Sequence, residues 1–182
     1  MVKKIAKKKA VTKTPAKKVL DNSYQKEVDR IFTLQKENRW KIANSTAKER
    51  IEKLKKLKEQ IEIHAQEIRE ALYKDFKKSP QEVDLTEIMP VISEIKDAVS
   101  HLKSWMRPVR VGTPLTLFPS SSQIIYEPKG LILIISPWNY PFHLIGTPLV
   151  AAVAAGNCAI IKPSNNTKHT AAITKKIISK VF

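Results

Sequence analysis

The chain has 182 residues, 42% of them hydrophobic, with 33 Lys and Arg against 17 Asp and Glu and a formal net charge of +16. That length and apolar content suit one domain of ordinary size and exclude a wholly disordered chain. Its single cysteine excludes an internal disulfide, no Cys/His cluster has metal-ligand spacing, and Pro137, Pro141 and Pro148 break up the most apolar stretch, which excludes a membrane span there.

Half of the net charge lies in residues 1–20, where eight lysines stand without one acid. Like charges repel and little there can be buried, so this segment is expected to be a disordered Lys-rich tail. It has no apolar stretch of the secretory kind, and a cytoplasmic location is expected. Its charge leaves room for weak, non-specific nucleic-acid contact. No aromatic residue stands between the lysines to stack on bases.

Residues 21–108 read as helical. A polar helix over 23–43 carries a modest stripe of Val28, Ile31, Phe32 and Gln35. Thr46 with Glu49 forms a capping box, and Ile51, Leu54, Leu57, Ile61, Ala65, Ile68 and Leu72 then predict one long amphipathic helix ending near Phe76. Ser79-Pro80-Gln81-Glu82 starts another, whose buried face runs from Ile88 to Met106, with Pro90 expected to kink it or delay its regular start. His64 and His101 fall inside these helices and read as surface or boundary residues.

Over 109–182 short apolar runs alternate with Pro, Gly and Ser, which predicts strands at Leu115–Phe118, Gln123–Tyr126 and Leu131–Ile135. The last has no polar alternation and should be covered on both faces, as in a parallel sheet. A helix over 144–155, a strand over 158–161 and a helix over 167–181 complete a βαβα pattern. The fold class expected is α/β, with N-terminal helices packed on part of a Rossmann-like parallel sheet.

Ligands of such sheets bind beyond the carboxyl ends of the strands, where helix starts present unpaired amides. Two loops stand there, Ser136-Pro137-Trp138-Asn139-Tyr140-Pro141-Phe142 and Lys162-Pro163-Ser164-Asn165, and neither is Gly-rich. On the residues alone, Asn139 is either a polar group offered to a ligand or a cap for the following helix. Cys158, entering a buried strand, reads as a small hydrophobe rather than a nucleophile.

Glu127-Pro128-Lys129-Gly130, Ser136 to Phe142, Ala154-Ala155-Gly156-Asn157-Cys158 and Ile161-Lys162-Pro163-Ser164 occur in an order and spacing that resemble the aldehyde dehydrogenase superfamily, most closely its class 3 branch. The resemblance runs from about residue 25 to the end. It implies oxidation of an aldehyde to a carboxylic acid: a cysteine thiolate attacks the aldehyde, hydride passes to NAD or NADP, and water hydrolyses the thioester. Asn139 matches the asparagine whose side chain donates to the developing oxyanion. Lys162 matches the lysine at the adenosine ribose, and Ser136, Pro137, Trp138, Ser164 and Asn165 fall in the cofactor-lining segments. The family commonly carries glutamate where Asn165 stands, which implies poor discrimination between the two cofactors.

The resemblance places the nucleophilic cysteine, the general-base glutamate and the Gly-rich cofactor turn beyond Phe182. The chain is therefore expected to be an N-terminal part, inactive alone, joined by a complementing catalytic half or by a homo-oligomeric partner. The competing expectation is a non-catalytic binding or regulatory protein that contacts nucleic acid through residues 1–20.

Overall fold

A computed structural model describes residues 22–182, so the Lys-rich tail lies outside the described residues. The chain begins with α1 (Asn22–Ala43), α2 (Ala47–Ile63) and α3 (Ala65–Phe76). The capping box that starts α2 is formed: Thr46 Oγ1 accepts from the Glu49 N–H at 3.3 Å, and Glu49 Oε2 accepts from the Thr46 N–H at 2.7 Å. Such a cap is worth about 1 kcal/mol.

Where periodicity predicts one helix to Phe76, the structure has two, broken at His64 (φ −99°, ψ 14°). The apolar spacing survives the break, which is why the sequence hides it. Nor is His64 a surface residue, since the break turns its ring inward to 4% exposure. Nε2 lies 3.1 Å from the Lys180 ammonium and Nδ1 lies 2.8 Å from the Gln60 carbonyl. The ammonium can only donate, so Nδ1 carries the proton. His101 is exposed, as expected.

The next helix starts at Ser79, whose Oγ accepts from the Glu82 N–H at 3.2 Å. It runs as α4 (Pro80–Val83), a π-helical turn (Asp84–Ile88) and α5 (Met89–Trp105). Pro90 has no N–H and its ring presses on the preceding turn. The chain answers with one extra residue there, so that the Met89 N–H reaches back to the Asp84 carbonyl.

β1 (Val109–Val111) pairs antiparallel with β2 (Ser122–Ile124). The strand expected at Leu115–Phe118 is instead a 3-10 turn over Leu115–Leu117 at the hairpin tip, with Leu115 91% and Phe118 83% exposed. Pro114 and Pro119 bracket it, and proline cannot donate to a ladder. Ile125 and Tyr126 likewise lie outside β2.

β3 (Leu131–Ile135) and β4 (Cys158–Lys162) are parallel and joined by α6 (His143–Ala154); α7 (Lys168–Ile178) follows β4. Leu54, Leu57, Ile61, Ile68, Leu72, Ile95, Leu102, Val150, Ile173 and Ile177 form one buried core shared by α2, α3, α5, α6 and α7. α5 and α6 cross closely, since a Cβ on Gly146 would stand 2.6 Å from Val91 Cγ2. The N-terminal helices thus pack on a short parallel sheet, the α/β class expected. β3 is not covered on both faces, however: Ile134 is buried while Leu133 and Ile135 are 60% and 67% exposed.

Two of the sequence motifs are structural joints. The Asn157 side-chain carbonyl accepts from the Gly130 N–H at 2.7 Å, and the Cys158 N–H donates to the Gly130 carbonyl at 2.9 Å. Gly130 and Asn157 therefore lock the starts of β3 and β4 together.

Candidate functional site

Parallel pairing brings the two loops to one end of the sheet. Ile135 is the register partner of Lys162, and the Ser136 N–H donates to the Lys162 carbonyl at 3.1 Å. The loop after β3 and the loop after β4 therefore leave the sheet side by side.

In the first loop Ser136 is buried, its hydroxyl 3.1 Å from the Pro137 carbonyl and 3.4 Å from that of Pro141. It shapes the loop from within. Pro137, Trp138, Asn139 and Tyr140 are exposed, and the Trp138 ring leans on Phe76 with centroids 6.2 Å apart. The Asn139 carbonyl accepts from Lys78 Nζ at 3.0 Å, whereas its side-chain amide makes no hydrogen bond among the described residues. Asn139 does not cap α6.

That cap comes from Glu87, in the π-helical turn. Glu87 is fully buried; Oε2 accepts from the N–H groups of Phe142 (3.1 Å) and His143 (3.0 Å), and Oε1 accepts from Lys78 Nζ (2.6 Å). Neither residue is marked by a motif. The available signal is a lone carboxylate in the series Val83, Glu87, Val91, Ile95, an otherwise apolar i, i+4 row. A charge there must be paired or lose more in desolvation than it returns.

In the second loop Lys162 is exposed, and its ammonium pairs with no carboxylate among the described residues. Ser164 Oγ accepts from the Asn166 N–H at 3.2 Å, and the Ser164 carbonyl accepts from the Thr167 hydroxyl at 3.2 Å. These bonds hold a turn with Asn165 exposed at its tip. The start of α7 is closed by Asp75, whose carboxylate accepts from the N–H groups of His169 (3.3 Å) and Thr170 (2.8 Å) and from the Thr170 hydroxyl (2.8 Å).

The expectation of unpaired amides at these helix starts is therefore corrected. Asp75 and Glu87 occupy both, each an internal anion where a phosphate could otherwise sit. What the sheet end offers a ligand is side chains: the Asn139 carboxamide, the Lys162 ammonium, the Trp138 ring and the Asn165 turn.

Cys158 stands apart from this cluster. It opens β4, at the far end from Lys162, roughly 13 Å away along an extended strand. Its thiol is 5% exposed, and burial pushes its pKa up while Lys53 pulls more weakly the other way. Burial and the raised pKa that follows from it leave the thiol a poor nucleophile at neutral pH. Among the described residues no group of His, Cys, Asp and Glu could hold a metal ion, and no helix is long and apolar enough to cross a membrane.

The model of the aldehyde dehydrogenase family matches residues 2–181. The putative aldehyde dehydrogenase AldX of Bacillus subtilis is 40% identical over 164 residues, covering 90% of this chain and 36% of that protein. Aldehyde dehydrogenase family 3 member B3 of Mus musculus is 40% identical over 133 residues, 73% of this chain and 28% of its own length. Among solved structures, substrate-bound AldH of Staphylococcus aureus superposes with a TM-score of 0.81 at 42% identity, over 85% of this chain and 34% of that one. The chain spans about a third of the length of the relatives it matches.

Proposed function

The chain belongs to the aldehyde dehydrogenase family, and from that premise we propose that it supplies the oxyanion-binding asparagine and one wall of the cofactor site for NAD(P)-dependent oxidation of an aldehyde to a carboxylic acid. The observation that carries this reading is Asn139: its backbone is held by Lys78 while its carboxamide is exposed and uncommitted. An N–H donor with no partner among the described residues suits an oxygen that gains charge only during reaction.

The residues present also fit a dinucleotide. Lys162 offers ribose hydroxyls an exposed ammonium that pairs with no carboxylate among the described residues, with Ser164 and the Asn165 turn beside it and the Trp138 face in the neighbouring loop. The cofactor, when bound, would accept the hydride. Asn165 brings no negative charge to the turn, so a 2′-phosphate meets no repulsion from it, and NAD and NADP are both admitted. Because Asp75 and Glu87 already fill the helix starts, pyrophosphate recognition falls to groups other than α6 and α7.

The attacking thiolate comes from a residue other than Cys158, which is buried at the wrong end of β4. The 182 residues hold no other thiol, so on this reading the nucleophile lies outside them, and the apolar surface of Leu133 and Ile135 is offered to further structure of the enzyme. A single buried thiol suits the cytoplasm.

The test is Asn139→Ala in an aldehyde dehydrogenase that carries this segment. The expected result is a fall in kcat/KM of about a hundred- to a thousand-fold with cofactor affinity retained. Activity within three-fold of the parent removes the oxyanion assignment. Titration with NAD and NADP separately, before and after Asn165→Glu, reads the cofactor assignment: comparable affinities should become a preference for NAD.

A further inference from the structure

Lys78 and Glu87 form a buried ion pair that does more than neutralise itself. Lys78 Nζ donates to Glu87 Oε1 at 2.6 Å and to the Asn139 carbonyl at 3.0 Å, and it lies 4.2 Å from the centroid of the Tyr140 ring. The other carboxylate oxygen of Glu87 takes the N–H groups of Phe142 and His143. One ion pair from the neighbourhood of the π-helical turn thus grips the loop after β3 on both sides of Pro141.

We propose that Lys78 and Glu87 are positioning residues that fix where the Asn139 carboxamide points. This rests on the reading of Asn139 as the oxyanion donor, but the grip itself is independent of it. The carboxamide has no bond of its own among the described residues, so its aim is inherited from the backbone of residue 139. That backbone is held at its carbonyl by Lys78 and, past Pro141, at the start of α6 by Glu87, while Ser136 braces the loop at the Pro137 and Pro141 carbonyls. A misplacement of about 1 Å at a reacting centre can cost a hundred-fold in rate, so such an anchor matters to chemistry without touching substrate.

The π-helical turn is part of the device. It places Glu87, in an otherwise apolar row, where one carboxylate reaches both Lys78 and the first amides of α6. Turns of this kind recur at functional sites.

The experiment uses the 182-residue chain, comparing the parent with Lys78→Met, Lys78→Arg and Glu87→Gln by amide hydrogen exchange and by the NMR signals of the Asn139 side-chain amide and the Trp138 indole N–H. In Lys78→Met, exchange at Phe142 and His143 should accelerate about ten-fold or more and both side-chain signals should move, while Leu54 and Leu72 in α2 and α3 keep their protection. Lys78→Arg, which keeps the charge and a donor, should recover most of the effect; if Glu87→Gln does not fold, the Lys78 pair of variants decides alone.

Unchanged signals from Asn139 and Trp138 in Lys78→Met overturn the proposal. So does protection lost evenly across α2 and α3, which would make the pair a stabiliser of the whole fold. Loss of activity in Asn139→Ala is a separate result: were it absent, the oxyanion reading would fail while the exchange pattern still reported the grip.

Discussion

The guanidinium of Arg50 fills the space where a side chain on Gly156 would stand. Arg50, near the start of α2, is 6% exposed and has no carboxylate partner among the described residues. It donates instead to Ser45 Oγ (3.0 Å) and to the carbonyls of Ala43 (2.9 Å) and Ala154 (3.0 Å), the last residues of α1 and α6. Burial pulls its pKa down from the ordinary arginine value, yet that value is high enough for the charge to persist at neutral pH. Two helix ends, each carrying partial negative charge, thereby share one cation.

Gly156 also has φ +78°, a conformation that disfavours any side chain. Gly156→Ala should lose about 2–4 kcal/mol in urea unfolding, roughly 1–2 from the backbone and the rest from the displaced guanidinium. Arg50→Lys keeps the charge but loses the planar fork that spans three acceptors, and should lose about 1–3 kcal/mol. A Gly156→Ala protein within 0.5 kcal/mol of the parent would show that the close approach is not rigid.

Asp75→Asn should weaken the start of α7 by about 1–2 kcal/mol, because a charged acceptor of two backbone N–H groups and a hydroxyl becomes neutral. The measurement is site-resolved hydrogen exchange. Acceleration should concentrate at His169 and Thr170 and leave α2 unaffected.

Cys158 should resist iodoacetamide in the folded chain at pH 8, with labelling at least about ten-fold slower than in urea, since the reactive thiolate is both buried and disfavoured. The same shift carries a pH dependence. A thiol whose pKa is raised by folding contributes fully below the unfolded value of about 8.5 and loses that contribution as pH climbs through the folded value. Cys158→Ala should therefore flatten the alkaline fall in stability. An unchanged alkaline limb would assign that fall to other groups.

Much of the fold can be read from the sequence because apolar spacing and capping residues speak locally. Thr46 with Glu49, and the run Leu131–Ile135, each declare an element without outside help. The break at His64 is silent because the i, i+3, i+4 pattern passes through it unaltered. Leu115–Phe118 misleads because hydrophobicity without a ladder partner looks like a strand. The two loops of the candidate site are legible as strand ends, but what holds them is not. Glu87 and Asp75 act across 55 and 95 residues of sequence, on Phe142 and Thr170 respectively, and no local rule reports a partner so remote.

Asp75 and Glu87 also divide labour in a way that bears on how this sheet end could be altered. With both helix starts neutralised from inside, the charge that this sheet end presents outward resides in replaceable side chains rather than in the peptide framework. On the cofactor reading proposed above, a single exchange at residue 162 or 165 retunes which nucleotide is favoured while the scaffold stays as it is. Such a surface is open to redesign one residue at a time, and its history of change can be sought in those same few positions.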